Sequence, residues 1–373
     1  MQVLSEIPDI RAAAIAAGSD YKGLAKLVKL AKLSKHVNDK ISCPDLVAIY
    51  DKSAACELQK LLPDIEVAAG MEGLIDCVKK PGVQIVVNAI VGSIGLAPTL
   101  AALNAKKDVA LANKETLVAG GSLVMEAARQ NNVSIRPTDS EHSAIWQCLQ
   151  GNEKSAVKRL ILTASGGAFR TWEKFKIEKA KATEALHHPN WTMGPKITID
   201  CATMMNKGLE YIEAHWLFDI PYEKIEILIH PQSIIHSMVE FEDGAVMAQM
   251  AMPDMCQPIQ YALSAPARFA RKHTPIDFLN LNALTFEEPD FDRFPCLALA
   301  MKAAEIGGTM PAMMNAVNEK VNAAYLQDEV GFYDISEIIT EAMGTYTVKP
   351  VCGLSDVEEA IAWADEFLVD RIG

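Results

Sequence analysis

The chain has 373 residues, half of them hydrophobic and 22% charged; this is the make-up of a globular protein with two or three buried cores and excludes a disordered or fibrous chain. Its net charge of −13, with no run of five like charges, gives no electrostatic footprint for nucleic acid or an anionic membrane surface, so a phosphate-bearing partner has to be small and held by local donors. No apolar stretch approaches the roughly 20 residues of a membrane span, the opening MQVLSEIPDIR lacks the charged start and apolar centre of a signal peptide, and eight cysteines lie scattered without a C-x-x-C pair. The expectation is a cytoplasmic protein with reduced thiols.

From Ile10 to Val133 short β-rich runs alternate with helical patterns, the rhythm of a doubly wound parallel sheet. IRAAAIAAGS (10–19) leads into the amphipathic YKGLAKLVKLAKLSK (21–35), and DLVAIYD into KSAACELQKLL. VQIVVNAIVG (83–92) predicts a strand, followed by a helix from Leu96 to Ala105, a strand over DVALAN (108–113) and a helix starting near Glu115. A second region opens around Val133. VKRLILTASGG (157–167) runs from a strand into glycines, ATMMNKGLEYIEAHWLF (202–218) has helical periodicity, and residues 233–253 alternate around an Asp-Gly turn at 243–244, a hairpin signature. The last 80 or so residues read as helices. The expected divisions are an α/β Rossmann-like parallel-sheet domain over 1–132, a central α+β domain over 133–264, a linker over 265–290 and a C-terminal helical bundle over 291–373.

Five stretches carry groups suited to chemistry, each with a plainer reading beside it. In TDSEHSAIWQ, Thr138 and Glu141 form a capping box, while Asp139, Ser140 and Glu141 together offer half of a metal site. ANKETL ends a predicted parallel strand, where ligands of open α/β sheets bind. There Asn113 is a cap or a ligand contact, Lys114 meets an anionic or carbonyl oxygen, and Glu115 meets a ribose hydroxyl or solvent. TASGGAF offers backbone amides and the Ser165 hydroxyl to an anion, or is a Gly-Gly turn. HHPNWTMG is a loop able to close over a small ligand and exclude water, or a loop with a tucked Trp. In DCATMMNKGLEYIEAHW, Asn206, Lys207 and Glu210 fall on one side of a helix, which suits a phosphorylated, metal-chelating substrate; the alternative is a surface Lys–Glu pair.

In their order, ANKETLV, TDSEHSA, TASGGAFR, HPNWTMG, DCATMMNKGLE, HPQSIIHSMVEF and MPDM…PIQYAL, continuing to GGTMPAMMNAVNE, resemble the 1-deoxy-D-xylulose 5-phosphate reductoisomerases of the non-mevalonate isoprenoid pathway over nearly the whole chain. The resemblance implies a homodimer that uses NADPH and Mg²⁺, Mn²⁺ or Co²⁺ to rearrange 1-deoxy-D-xylulose 5-phosphate and reduce the aldehyde formed to 2-C-methyl-D-erythritol 4-phosphate. It implies metal ligation by Asp139, Glu141 and Glu210, and catalytic roles for Lys114, Glu141 and His188. Ser140, Ser165, Cys201, Asn206, Lys207 and Glu210 join these at the substrate, with Asn206 and Lys207 on its phosphate. Trp191 and Met193 fall in the lid, and Asn113, Glu115 and Gly194 at NADPH, whose 2′-phosphate is met around Gly18, Ser19 and Asp20. Three hard oxygen ligands suit Mg²⁺ or Mn²⁺, which polarises a chelated ketone.

Two departures from the family pattern bear on function. Cys201 stands where the family carries a phosphate-binding serine; a thiol is the weaker donor, so phosphate binding is expected to be looser. Cys201→Ser should lower the Michaelis constant for substrate, and an unchanged constant refutes this. The family's opening strand and glycine-rich G-S-T-G-S-I-G turn, which receives a pyrophosphate at a helix N-terminus, have no match, and QVLSEIPD resembles the second half of the helix that follows them. On this reading the first domain folds poorly and binds NADPH weakly, with Asp20 repelling the 2′-phosphate unless Lys22 compensates. A start codon upstream, a truncated gene and a degenerate paralogue are the three explanations, and translating the DNA upstream of Met1 separates them. The competing functions are a non-catalytic paralogue that retains the metal and phosphosugar site, and an ordinary NAD(P)-linked oxidoreductase. The second has no need of the Asp139, Glu141 and Glu210 carboxylates.

Overall fold

The computed structural model describes residues 2–8, 10–34, 44–281, 283–369 and 371–372; Lys35, the last residue of the predicted helix over 21–35, and Cys43 lie outside them. The chain forms two compact units: Met1–Asn113 with Glu126–Asp139 and Met255–His273, and Lys114–Met125 with Ser140–Asp254 and Thr274–Gly373. In chain order the first unit contributes α1 (Gln2–Glu6), β1 (Ala14–Ala17), α2 (Tyr21–Ser34), β2 (Leu46–Ile49), α3 (Lys52–Leu61), β3 (Val67–Ala69), α4 (Gly70–Lys79), β4 (Ile85–Asn88), α5 (Leu96–Asn104) and β5 (Asp108–Leu111). Helix α6 (Lys114–Asn131), kinked at Gly120, and strand β6 (Ile135–Pro137) follow.

The six strands form two three-stranded parallel sheets, β1-β2-β3 and β4-β5-β6. Val47, Ala48 and Ile49 in β2, and Val109, Ala110 and Leu111 in β5, are fully buried; each is the middle strand of its sheet, covered on both faces, which is why their sequences are unbroken apolar runs. The stretch at 83–92 shortens to β4, which pairs only with β5 among the described residues, and its Val87 stays 47% exposed. On α2, Leu24, Ala25, Val28 and Ala31 turn inward, the stripe a helical period predicts. Helix α3 is capped by Asp51, whose Oδ1 accepts from the Ser53 and Ala54 amides at 2.7 and 3.1 Å.

The second unit carries α7 (Ser140–Cys148), β7 (Val157–Ala164), the short α8 (Lys174–Ile177) and α9 (Ala182–Ala185), α10 (Pro195–Ala202), α11 (Met205–Phe218), β8 (Ile225–Ile229), β9 (Ile235–Phe241) and β10 (Val246–Met250). Helix α12 (Cys256–Ser264) belongs to the first unit, and α13 (Pro295–Ile306), α14 (Met310–Leu326), α15 (Phe332–Thr345) and α16 (Leu354–Leu368) complete the second. Its sheet has the order β10-β9-β7-β8, with β7 parallel to β8 and antiparallel to β9. The β9–β10 hairpin turns at Asp243-Gly244 as the alternation predicts, Gly244 taking φ +86°. The predicted helix over 202–218 is two: α10 ends at Ala202 and α11 begins at Met205 after the left-handed Met204, φ +63°. No helix among the described residues is long and apolar enough to cross a membrane.

Candidate functional site

Helix α11 is buried all round its first three turns, from Met205 to Ala214. A helix so enclosed cannot leave polar side chains without partners, and those of Asn206, Lys207 and Glu210 find one another. Glu210, 1% exposed, takes Lys114 Nζ at 3.0 Å and Asn206 Nδ2 on Oε1, and Lys207 Nζ on Oε2. Lys114 Nζ also donates to Asn206 Oδ1 at 2.9 Å, and Lys207 reaches Glu141 Oε1 at 2.8 Å. The Ser140 hydroxyl donates to the other Glu141 oxygen. Burial acts to lower the pKa of Lys207, but Glu141 and Glu210 outweigh it and hold the ammonium above its ordinary value.

Asp139 stands where the chain crosses into the second unit, one peptide bond from Ser140. One carboxylate oxygen from each of Asp139, Glu141 and Glu210 lies within 4.8 Å of the others, Glu141 being the least buried of the three. A second such group joins Asp139 to His142 and Glu213, both fully buried. His142 Nε2 sits 2.9 Å from the Glu210 carbonyl oxygen, which can only accept, so this nitrogen carries a proton; Nδ1 faces Glu213 Oε2 at 3.2 Å.

Thr138 does not cap α7. Its amide donates to the Leu111 carbonyl at 3.0 Å, so it still belongs to the β5–β6 ladder, and the helix starts two residues later at Ser140. With its amide taken by Leu111 and its buried hydroxyl making no hydrogen bond, Thr138 forms no capping box with Glu141.

At the end of β7 the chain turns through Gly166 and Gly167, φ +85° and +73°, and the Ser165 hydroxyl lies 2.9 Å from His188 Nε2. The amides of Asn190 and Trp191 donate to His188 Nδ1 at 3.2 and 3.0 Å. Nδ1 is therefore the bare nitrogen, and Nε2–H points at Ser165. Burial lowers the His188 pKa to about 4, so the ring is neutral throughout the physiological range. Asn190 Nδ2 anchors the same loop to the Pro231 carbonyl and Ser233 hydroxyl at 2.7 and 2.9 Å, and the Trp191 ring lies 6.0 Å from that of His236. Cys201 is partly buried near the end of α10, and desolvation raises its thiol pKa.

Of the residues expected at a nucleotide, Asn113 donates its amide group to the carbonyls of Ile90 and Gly92 and so fixes the turn after β4. The Asp20 carboxylate accepts from the Gly23 amide at 2.8 Å, capping α2. Gly18 and Gly194 each leave open space where a Cβ would point. Glu115 meets Lys196 Nζ at 2.5 Å, and Lys196 meets Asp200 at 2.9 Å.

His142, Glu213, Lys196, Asp200 and Glu319 escaped the reading of the sequence. The available signal was periodicity: Glu213 is one turn beyond Glu210, and Asn315, Asn318, Glu319 and Asn322 interrupt the buried side of an otherwise apolar helix.

Residues 1–121 match the 1-deoxy-D-xylulose 5-phosphate reductoisomerase family, 135–218 its C-terminal domain, and 250–367 the DXP reductoisomerase C-terminal domain. The chain is 49% identical over 364 residues to the 1-deoxy-D-xylulose 5-phosphate reductoisomerase of Heliobacterium modesticaldum, covering 96% of this chain and 90% of that one. With the Chloroherpeton thalassium protein of the same name it shares 44% over 374 residues, covering 100% and 94%. Among solved structures, the Zymomonas mobilis reductoisomerase in complex with NADPH matches with TM-score 0.85 and 41% identity over 96% of this chain and 91% of that one. A DOX-P reductoisomerase in complex with NADPH, fosmidomycin and magnesium matches with TM-score 0.89 and 35% identity over 100% and 96%. With likeness of this extent in both sequence and fold, the chain belongs to the 1-deoxy-D-xylulose 5-phosphate reductoisomerase family.

Proposed function

We propose that this chain converts 1-deoxy-D-xylulose 5-phosphate to 2-C-methyl-D-erythritol 4-phosphate with NADPH and a divalent metal ion, and that the observation carrying the reading is the buried Glu210 shared by Lys114, Asn206 and Lys207. Asp139, Glu141 and Glu210 would hold the metal: they form an all-oxygen set of hard donors, suited to Mg²⁺, Mn²⁺ or Co²⁺. When bound, the ion polarises the substrate carbonyl and NADPH supplies the hydride.

The rest of the work falls to the side chains. Asn206 and Lys207, on the first turn of α11, present an amide, an ammonium and a helix N-terminus to the phosphate. Ser165, Cys201 and the Nε2–H of His188 complete that grip. Lys114 sets a cation beside Glu210 where negative charge develops on the substrate oxygen, and Ser140 orients Glu141. Trp191 and Met193 close over the substrate and exclude water. Gly18, Ser19, Asp20, Asn113, Glu115 and Gly194 line the cofactor's path, with 1–132 as the NADPH-binding part, 133–264 as the catalytic and dimerisation part, 265–290 as the linker and 291–373 as the helical part.

A cytoplasmic homodimer fits the free cysteines and strand β10, which ends its sheet with Val246 and Met247 exposed; an edge of that kind calls for cover. Sedimentation velocity checks the dimer. Purified protein given substrate, Mg²⁺ and NADPH is expected to consume NADPH, and to stop when a chelator is added. Absence of consumption returns the non-catalytic paralogue.

A further inference from the structure

Around Asp200 lies a largely buried polar network, of which Glu115 alone has a role proposed above. Lys196, on the first turn of α10, bridges Glu115 Oε1 at 2.5 Å and Asp200 Oδ2 at 2.9 Å. Asp200 is 1% exposed, and its other oxygen accepts from Asn318 Nδ2 at 2.8 Å and Asn322 Nδ2 at 2.6 Å, both on α14. Glu319, which accepts from Asn315 at 2.7 Å, also faces the Lys196 ammonium. Burial raises the Glu319 pKa to about 7, as expected where three carboxylates share one cation.

The two ends of the bridge are what matter. Glu115 follows Lys114 on the first turn of α6, while Asp200 precedes Cys201 and the turn that starts α11, the helix of Asn206, Lys207 and Glu210. We infer that Lys196 is a positioning residue: its ammonium ties the start of α6 to the α10–α11 turn and so keeps Lys114 in register with Asn206 and Glu210. Lys207 and Asn206 ride on α11 itself and depend less on the tie. An ammonium that is mostly buried, its side chain 18% exposed, and has fixed acceptors at both ends suits this task, because a low local dielectric strengthens both contacts and a one-sided break leaves a charge poorly paired.

The inference rests on the reductoisomerase reading for its kinetic consequence, but its geometric part is testable without turnover. Folded protein is treated briefly with an amine-acylating reagent, and the labelling of Lys114 is compared with that of Lys207 by peptide mass mapping. In Lys196→Met the ratio of Lys114 to Lys207 labelling should rise about tenfold or more, and in Lys196→Arg it should return most of the way to the wild-type value. A ratio unchanged in Lys196→Met overturns the inference, as does a parallel rise at both lysines, which is the mark of general loosening. Should Lys196→Met fail to fold, Glu115→Ala cuts the same bridge at its other end and is held to the same ratio. In turnover, a displaced Lys114 should cost kcat on the order of 10- to 100-fold and leave the KM for phosphosugar within about threefold, since the phosphate grip stays intact. A rise in the KM for NADPH alone would make Lys196 a cofactor contact and refute the positioning role. If wild type itself consumes no NADPH, the functional reading fails while the labelling ratio still decides the bridge.

Discussion

Glu210→Gln is expected to abolish metal-dependent turnover, with kcat falling on the order of a thousandfold or more. The substitution preserves size and removes one negative charge from a set of three carboxylates, Asp139, Glu141 and Glu210, two of which pair with the ammonium groups of Lys114 and Lys207. Local charge moves from −1 to 0, weakening the attraction for a divalent ion. Hydrogen bonding fails as well. Both carboxylate oxygens accept, one from Lys114 and Asn206 and the other from Lys207, whereas a carboxamide turns an NH₂ toward one set of donors. Stranding a buried ammonium costs about 3–5 kcal/mol, so thermal unfolding should come at a lower temperature. Calorimetric titration with Mn²⁺ separates the two consequences. Wild-type Mn²⁺ affinity in folded Glu210→Gln would remove Glu210 from the metal set.

Gly167→Ala is expected to be nearly as damaging although no reacting group is altered. The residue has φ +73°, where a side chain is strained, and its Cβ would stand 2.2 Å from the Cys201 carbonyl oxygen and 3.0 Å from the Ala202 Cα. Both obstacles are backbone, so relief requires the β7 turn to withdraw from the end of α10. Backbone strain and overpacking each cost about 1–3 kcal/mol. The same withdrawal carries Ser165 away from Asn206 and Lys207, and a misplacement of about 1 Å reaches 100-fold in catalysis. Gly166→Ala is the control: its φ is also positive, but its Cβ meets the flexible Arg170 side chain, so substrate KM should move much less. Equal KM values for the two variants would show that the approach to Cys201 does not set the site.

What the sequence disclosed follows from the range of the interactions involved. The hairpin at Gly244, the buried runs of β2 and β5 and the Asn206–Lys207–Glu210 face are written in spacings of seven residues or fewer. Thr138 misled because a capping box is judged over four residues, while the bond that decides the matter comes from Leu111 in a neighbouring strand. Lys196 and Asp200 stand four residues apart, a spacing that an exposed helix pair would share. Asp200 is buried against Asn318 and Asn322, 118 and 122 residues away, and no local spacing announces those partners. The break at Met204 was equally hidden, since helical periodicity continues across it and only the left-handed residue marks the new start.

His188 owes its tautomer to the amides of Asn190 and Trp191, which belong to the proposed lid. Lifting that segment withdraws the donors that keep Nδ1 bare, and the imidazole loses its aim at Ser165 in the same motion. Were Ser165 and His188 to hold the phosphate as proposed, substrate release and loss of that grip would be one event.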